Sequence, residues 1–152
     1  MAFNALRPSE TLAIAGVVNP DLNTTGNHRS DWINAGDYQA LMAIVMTGTL
    51  GSGATVDAKL EQAQSASGTG AKDVEGGAIT QLTKGGVGDN VEAVIELFTD
   101  RLDLENGYTH VRLSMTVGGA SSDSGGIVLG CGARYAPASR NNLATVTEIV
   151  NV

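Results

Sequence analysis

The sequence predicts an all-β fold, an antiparallel β-sandwich of the jelly-roll kind with about seven or eight strands and little helix. Apolar and polar residues alternate with a period of two in several segments, most clearly over 54–64 and 108–117. Twenty glycines separate these segments at near-regular spacing, as turns between short strands do. Helical patterns of about 10–15 residues, which a βαβ fold needs between its strands, are missing. We therefore expect a single domain over 1–152, with extended arms at 1–9 and 143–152.

The first part of the chain predicts a strand, a loop and a second strand. Residues 10–18 are apolar enough for a strand, and 19–31 are rich in turn-forming residues and predict a polar loop. Residues 40–47 form an apolar run in which both alternating sets of side chains are hydrophobic, so we interpret it as a strand buried on both faces. Periodicity alone does not distinguish this strand from a buried helix, which remains the alternative.

The segment 54–74, "ATVDAKLEQAQSASGTGAKDV", combines a regular strand with a run of small residues. Alternation places the apolar side chains at 56, 58 and 60 toward the core and Asp57, Lys59 and Glu61 on the opposite face. The loop over 65–73, "SASGTGAKD", is predicted to be either a plain surface loop or a flexible loop that orders on a partner.

The second part of the chain predicts one short glycine-bracketed element and four further strands. A helical turn is expected around 99–107. In the strand over 125–136, Ile127, Leu129, Cys131, Ala133 and Tyr135 share one face by alternation. The predicted elements are the short element 76–86 and the strands 90–99, 108–117, 125–136 and 144–152.

Composition restricts the classes of partner. Nine basic and sixteen acidic residues give a net charge of −7, which argues against nucleic-acid binding because that requires clustered Lys and Arg. The longest apolar run, "ALMAIVM", is too short to span a bilayer, so no membrane contact is predicted. Cys131 is the only cysteine, which rules out an intramolecular disulfide.

No residue pattern predicts catalysis, a metal or a cofactor. Cys131 and either of the two histidines could pair in space, but the sequence shows no orienting group or oxyanion site beside them. Asp100, Asp103 and Glu105 provide hard oxygen ligands of the type that calcium prefers, yet they do not fit the EF-hand spacing. A solvated acidic turn is the favoured interpretation of these three residues, and we predict that the protein is not an enzyme.

Aromatic side chains with a polar group, and the charged face of the strand 54–64, are the candidates for a partner interface. Such aromatic residues anchor ligands or partners when they lie on sandwich loops. The predicted interface residues are Trp32, Tyr38, Asp57, Lys59, Glu61, Thr69, Lys72, Tyr108 and Tyr135.

Residues 32–139 contain several distinctive stretches, of which the most specific are "GTLGSGATVDAKLEQA", "GTGAKD", "AITQLT" and "LDLENGYTHVRLSMTVG". In these stretches the chain resembles a family of small virion proteins of tailed bacteriophages, whose genes typically lie beside the major capsid gene. These stretches indicate kinship without marking a site.

The resemblance implies a capsid decoration (cement) protein, made in the cytoplasm of the host bacterium and located on the capsid surface of the virion. Its expected partners are the major capsid protein and further copies of itself, as a dimer or trimer. The termini would be arms that add strands to a neighbour, or else ordinary edge strands of the same domain. The acidic surface would face basic patches on the shell.

Three other functions remain as alternatives. The first is a head-completion or tail-attachment role in the virion. The second is a carbohydrate-binding β-sandwich that uses Trp32 and the tyrosines for host adhesion. The third is a hydrolase with an acidic pair drawn from Asp100, Asp103 and Glu105.

Overall fold

The computed structural model describes residues 6–152, which form two antiparallel β-sheets. Ten strands and a few short helical turns make up the regular structure. The strands are β1 (Leu12–Asn23), β2 (Gly26–Arg29), β3 (Ile33–Asn34), β4 (Tyr38–Thr47), β5 (Thr55–Ala63), β6 (Lys72–Ala78), β7 (Leu82–Thr83), β8 (Glu92–Phe98), β9 (His110–Gly118) and β10 (Ser122–Ala133). The helical elements are α1 (Pro8–Thr11) and the 3₁₀ turns Ala35–Asp37, Thr99–Arg101, Leu104–Asn106 and Ala138–Asn141.

The strand order is that of a jelly roll. One sheet has the order β1-β10-β4-β8, and the other has the order β2-β9-β5-β6, with β3 paired to β9 and β7 paired to β5. If the two-residue strands β3 and β7 are set aside, the first sheet holds strands one, eight, three and six of the remaining eight. The second sheet holds strands two, seven, four and five. This arrangement confirms the predicted jelly-roll β-sandwich.

The core lies between the two sheets and follows the predicted alternation. In β5, Val56, Ala58 and Leu60 are all buried, and their neighbours on β9 are also buried. The apolar set predicted for the strand over 108–117 is confirmed for Val111, Leu113, Met115 and Val117, which are at most 1% exposed.

The predicted polar loop over 19–31 is wrong over most of its length. β1 continues to Asn23 and pairs with β10, and β2 begins at Gly26 on the other sheet. The turn-forming residues Asn19 and Pro20 fall where the register between β1 and β10 shifts, so they form a bulge inside a long strand. The Asn23 amide, which donates to the Ser124 carbonyl at 2.7 Å, holds the end of β1 in the sheet.

The strand predicted over 144–152 is not formed. The Asn142 side chain accepts a hydrogen bond from the backbone N–H of Ile14, and the N–H of Leu143 donates to the Ile14 carbonyl. These bonds use the free edge of β1 at that point, and the backbone bond from Val146 returns to Leu143 instead of continuing along a strand. The helical turn expected around 99–107 is present as the 3₁₀ turns Thr99–Arg101 and Leu104–Asn106.

The large apolar side chains Ile127 and Leu129 of β10 face away from the core, whereas Val128 between them is fully buried in it. Ile127, Leu129 and Cys131 do share a face as predicted, but the residues between them point inward. Ala133 was predicted on the same face and is corrected, because it packs against the core beyond Gly132, whose φ is +63°. At Gly130 an added Cβ would lie 2.3 Å from the ring of Tyr38. Glycine is therefore required on the inner side because the tyrosine ring occupies the space that a side chain would need.

Candidate functional site

The outer faces of the two sheets differ in chemistry, although each sheet buries its inner face in the same core. The outer face of β1-β10-β4-β8, called the apolar face below, consists mainly of aliphatic side chains. The outer face of β2-β9-β5-β6, called the polar face, carries charged and hydroxyl side chains. The apolar face is the stronger candidate for a functional surface.

Cross-strand register places the side chains of the apolar face in rows that run across the sheet. In an antiparallel sheet, directly paired residues point to the same side, so each row is read from the pairing. The three longest rows are Val17, Ile127, Ile44 and Val94; Ile14, Leu129, Met42 and Glu96; and Leu12, Cys131, Ala40 and Phe98.

Strand β4 shows why this face is unusual. Leu41, Ala43 and Val45 are buried in the core, as expected for one side of the strand. The other side carries Ile44, which is half-buried, and Met46, which is 51% exposed. The prediction of a strand buried on both faces is therefore corrected, because one face of β4 is covered within this chain and the other is open.

The edge strand β8 extends the exposed apolar surface. Val94 is 53% exposed and Phe98 is 68% exposed, and both point to the same side as Ile44 and Met46. Large apolar side chains exposed together on one sheet face are characteristic of interaction surfaces in soluble proteins. Val94 and Phe98 therefore belong to the candidate site.

A cleft of about 600 Å³ lies at the end of the apolar face where β1, β4 and β10 meet. Its walls are formed by apolar side chains and glycine backbone, and its polar boundary includes Asp21 and Asp123. An added Cβ at Gly125 would lie 2.7 Å from Pro20, so a side chain there would fill this end of the face. The apolar lining residues are Val17, Val18, Pro20, Ile44, Met46 and Ile127.

The strands of the apolar face contain acidic residues and no basic residue, although Arg134, which follows β10, lies near Phe98 at one end of the face. Strands β1, β4, β8 and β10 hold four acids and no Lys, Arg or His. None of these four takes part in a salt bridge among residues 6–152. The four acids are Asp21, Glu92, Glu96 and Asp123.

Cys131 lies on the apolar face, paired with Ala40 and Leu12. Burial raises the pKa of its thiol, and the negative charge of Glu96 raises it further. This combination keeps the group in its protonated, poorly nucleophilic form, which suits a packing role better than catalysis. The thiol is nevertheless partly accessible, so it reports chemically on whether the face is covered.

The polar face is organised around Glu61. Its carboxylate accepts a 2.7 Å hydrogen bond from Nε of Arg112, and Arg29 and Lys59 lie at 3.8 Å. The Arg112 guanidinium in turn stacks on the Trp32 ring at 4.3 Å. Glu61 is thus shared by three cationic side chains, so these charged groups of the polar face have partners within the chain.

The loop over 65–73 packs against its own chain. The hydroxyl of Tyr108 donates to the Gly70 carbonyl at 3.0 Å, and Nζ of Lys72 lies 4.1 Å from the centre of the Tyr108 ring. An added Cβ at Gly68 would lie 2.7 Å from Nε1 of Trp32. The loop therefore packs on Trp32 and Tyr108, two of the residues that were predicted as partner anchors.

Hydrogen bonds inside the loop add to this ordering. The Ser65 hydroxyl bonds to those of Ser67 and Thr69, each at 2.9 Å, and the Gln64 N–H donates to the Thr69 carbonyl. Small hydroxyl residues in this loop therefore replace backbone pairing at the end of the β5–β6 hairpin.

The structure gathers some predicted interface residues and separates others. Lys72 contacts Tyr108, and Arg112 connects Trp32 to Glu61. Thr69 lies in the loop over 65–73, where its hydroxyl accepts a hydrogen bond from Ser65.

Of the remaining predicted residues, only Lys59 borders the Glu61 cluster. Asp57 accepts a hydrogen bond from Gln81, and Lys59 pairs with Asp73 at 2.7 Å. Tyr135 is 78% exposed beyond the end of β10. Tyr38 is only 3% exposed, so its prediction as a surface anchor is corrected, because its ring occupies the space beside Gly130.

The acidic turn contains one paired carboxylate. Asp103 accepts hydrogen bonds from Lys72 and Asn106, which hold its pKa below the ordinary value of 3.8. Asp100 is largely exposed and lies beside Arg101. Over residues 6–152, no group of three or more His, Cys, Asp or Glu side chains is arranged to hold a metal ion. The same part of the chain contains no helix long and apolar enough to cross a membrane.

Sequence reasoning missed the apolar face as a site, although two signals for it were present. The run over 40–47 is apolar in both alternating sets, and the glycines at 126 and 130 alternate with the large apolar residues at 127 and 129. Together they show that the larger hydrophobic side chains of β10 point outward.

Comparisons with known proteins give only distant fold matches. No protein-family model and no curated protein sequence matches the chain. A mutant of xylanase 10C from Cellvibrio japonicus in complex with xylopentaose aligns at 9% identity with a TM-score of 0.38, covering 86% of this chain and 28% of that chain. The module TmCBM61 in complex with β-1,4-galactotriose aligns at 11% identity with a TM-score of 0.35, covering 88% of this chain and 100% of that chain. The chain thus spans about a quarter of the length of the xylanase, and neither match bears on what it binds.

Proposed function

We propose that this chain is a structural assembly protein that docks through its apolar face, acting as a decoration subunit on the capsid exterior of a tailed phage. The observation that carries the proposal is that β4 is hydrophobic on both sides but covered on only one. The resemblance of residues 32–139 to small phage virion proteins supplies the biological setting. Docking of this kind requires no catalytic residue, cofactor or metal.

The exposed side chains of the apolar face provide the driving force. Complete burial of one Val, Phe or Met side chain contributes about 1.5–3 kcal/mol. Met46, Val94 and Phe98 are each more than half exposed, so covering them gains a substantial part of this amount. Part of the gain offsets the loss of translational and rotational freedom on association.

A shell presents the same site many times, so the affinity at one site need not be high. Binding only to the assembled shell stabilises that state by mass action. If the subunit is itself a dimer or trimer, simultaneous contacts increase the overall affinity.

Co-sedimentation with purified undecorated capsids tests the proposal. We expect the protein to sediment with the shells at a saturating ratio that fits the capsid symmetry. Alkylation of Cys131 in the pelleted complex should be at least several-fold slower than in the free protein, because the apolar face is then covered.

A pair of valine substitutions controls for nonspecific association. Val94→Thr keeps the side-chain volume but makes the apolar face more polar, and it should weaken sedimentation. Val87→Thr makes the same change at a loop residue that is 76% exposed, and it should have no effect. If the wild-type protein remains in the supernatant with intact shells, or if both variants bind equally, the decoration role is wrong.

A further inference from the structure

The cleft of the apolar face is built to accept a hydrophobic group. Val17, Ile44 and Ile127 form a row across its floor, and Met46 borders it. Aliphatic side chains dominate this lining, so an apolar side chain gains more from entering the cleft than a hydroxyl or amide group would.

The rim of the cleft imposes a second requirement on the occupant. Asp21 and Asp123 border the cleft and form no salt bridge among the described residues. A docked partner removes water from both carboxylates, and this costs free energy unless the partner supplies a positive charge. The occupant therefore needs a cation next to its apolar group.

A second copy of this chain does not meet this requirement. The strands of the apolar face contain four acids and no base, so two such faces in contact would bring like charges together. All four Lys and Arg residues carried by strands lie in the other sheet, and the whole chain has a net charge of −7. Charge complementarity favours a different, basic partner.

We propose that the cleft takes an apolar side chain of a protein partner, and that neighbouring Lys or Arg side chains of that partner pair with Asp21 and Asp123. This inference rests on the proposed docking role of the apolar face and specifies the chemistry of the surface it meets. The apolar group provides most of the affinity, and the two ion pairs select the partner and its orientation.

Short peptides test the proposal without any shell. The probe is an acetylated and amidated peptide with a Val-Leu-Val centre between two pairs of lysines. One comparison peptide carries glutamates in place of the lysines, and another keeps the lysines around a Ser-Gly-Ser centre. The reporters are the ¹³C-labelled methyl groups of Met42 and Met46 on the apolar face and of Met115 in the core.

We expect the lysine-flanked apolar peptide to shift the methyl resonance of Met46 in a saturable manner and to leave that of Met115 unchanged. The double variant Asp21→Asn with Asp123→Asn should bind it roughly two- to thirtyfold more weakly, the range for two exposed ion pairs. The matched control Glu75→Gln removes one negative charge from an exposed residue of β6 in the other sheet and should leave binding unchanged. Raised salt should weaken binding of the wild type more than that of the double variant.

Three results would overturn the proposal. The first is that the methyl resonance of Met46 does not shift with the lysine-flanked apolar peptide. The second is that the glutamate-flanked or the Ser-Gly-Ser peptide binds as well as that peptide. The third is that the resonance shifts when the protein is concentrated without any peptide, which would identify a second copy as the occupant. The outcomes separate this inference from the docking role. If the protein binds shells but does not distinguish between the peptides, only the proposed partner chemistry is wrong. If it binds the lysine-flanked apolar peptide selectively but does not bind shells, only the decoration role is wrong.

Discussion

At the scale of single residues, two glycines with positive φ allow the effect of backbone strain on stability to be distinguished from the effect of a close side-chain contact. Gly68 has φ +85° and sits against the Trp32 ring, whereas Gly53 has φ +69° and no atom within 4 Å of an added Cβ. Both favour glycine because other residues are strained in this region. Only Gly68 is also needed for a close approach.

Replacement of each glycine by alanine should therefore give different results. Gly53→Ala should lower the free energy of unfolding by about 1–2 kcal/mol through backbone strain alone. Gly68→Ala should lower it further and shift the Trp32 emission spectrum, because a rigid ring must move. Urea unfolding followed by fluorescence measures both effects, and equal losses with an unchanged spectrum would refute the packing of the loop on Trp32.

Glu61 is the other residue on which much of the polar face depends. Its side chain is 11% exposed and is surrounded by Arg29, Lys59 and Arg112. Removing its charge leaves three cations close together without their shared partner.

We expect Glu61→Gln to destabilise the protein by about 1.5–3 kcal/mol, the usual range for a hydrogen bond to a charged group. Glu75→Gln, at an exposed position of the same sheet, should change the free energy of unfolding by less than about 0.5 kcal/mol. Chemical denaturation of both variants makes the comparison. Similar small effects would show that Arg112 does not depend on Glu61.

At the scale of elements, β4 shows how one strand serves two purposes. Alternate residues face the core and the open apolar face, so neighbouring positions experience different surroundings. Val45 is fully buried, and the next residue, Met46, is half exposed.

Truncation of these two neighbours should separate folding from docking. Val45→Ala should cost about 2–3 kcal/mol of stability because it leaves a cavity in the core. Met46→Ala should change stability by less than about 0.5 kcal/mol but reduce binding to shells. Thermal unfolding and co-sedimentation give the two readouts, and a large stability loss in the second variant would mean that Met46 belongs to the core.

At the scale of the whole molecule, ion pairs stabilise the loops that connect the strands. Lys84 binds Asp89, which also accepts the Leu50 N–H, and Lys72 binds Asp103. The hydrogen bond from Lys84 lowers the pKa of Asp89, and that from Lys72 lowers the pKa of Asp103. Folding is therefore linked to pH in the acid range.

The direction of this dependence follows from the lowered pKa values. A carboxyl whose pKa is lower in the folded state contributes stability above its ordinary value of 3.8, and this contribution disappears as the pH falls through the folded value. We expect the urea midpoint to fall on acidification below about pH 4. Asp103→Asn should make that fall smaller, whereas Asp100→Asn, at an exposed side chain, should not. A midpoint independent of pH between 5 and 2 would contradict this expectation.

The sequence by itself determined the fold class and most strand positions. Period-two alternation over 54–64 and 108–117 identified β5 and β9 and assigned their core faces, because the pleat sends alternate side chains to opposite sides. Glycine spacing identified the turns. Local patterns of this kind depend only on neighbouring residues, so they can be recognised without a structure.

The tertiary structure alone decided which surfaces are open. Alternation shows that two residues share a face but not whether another sheet covers that face, so the side of β10 that carries Ile127 turned out to point outward. The exposure of Trp32 and Tyr38 also depended on residues far away in the sequence. Arg112 and Gly68 contact the Trp32 ring, and the Tyr38 ring packs beside Gly130. The strand expected over 144–152 failed for the same reason, since pairing requires a free edge and Asn142 and Leu143 already occupy the edge of β1 at Ile14.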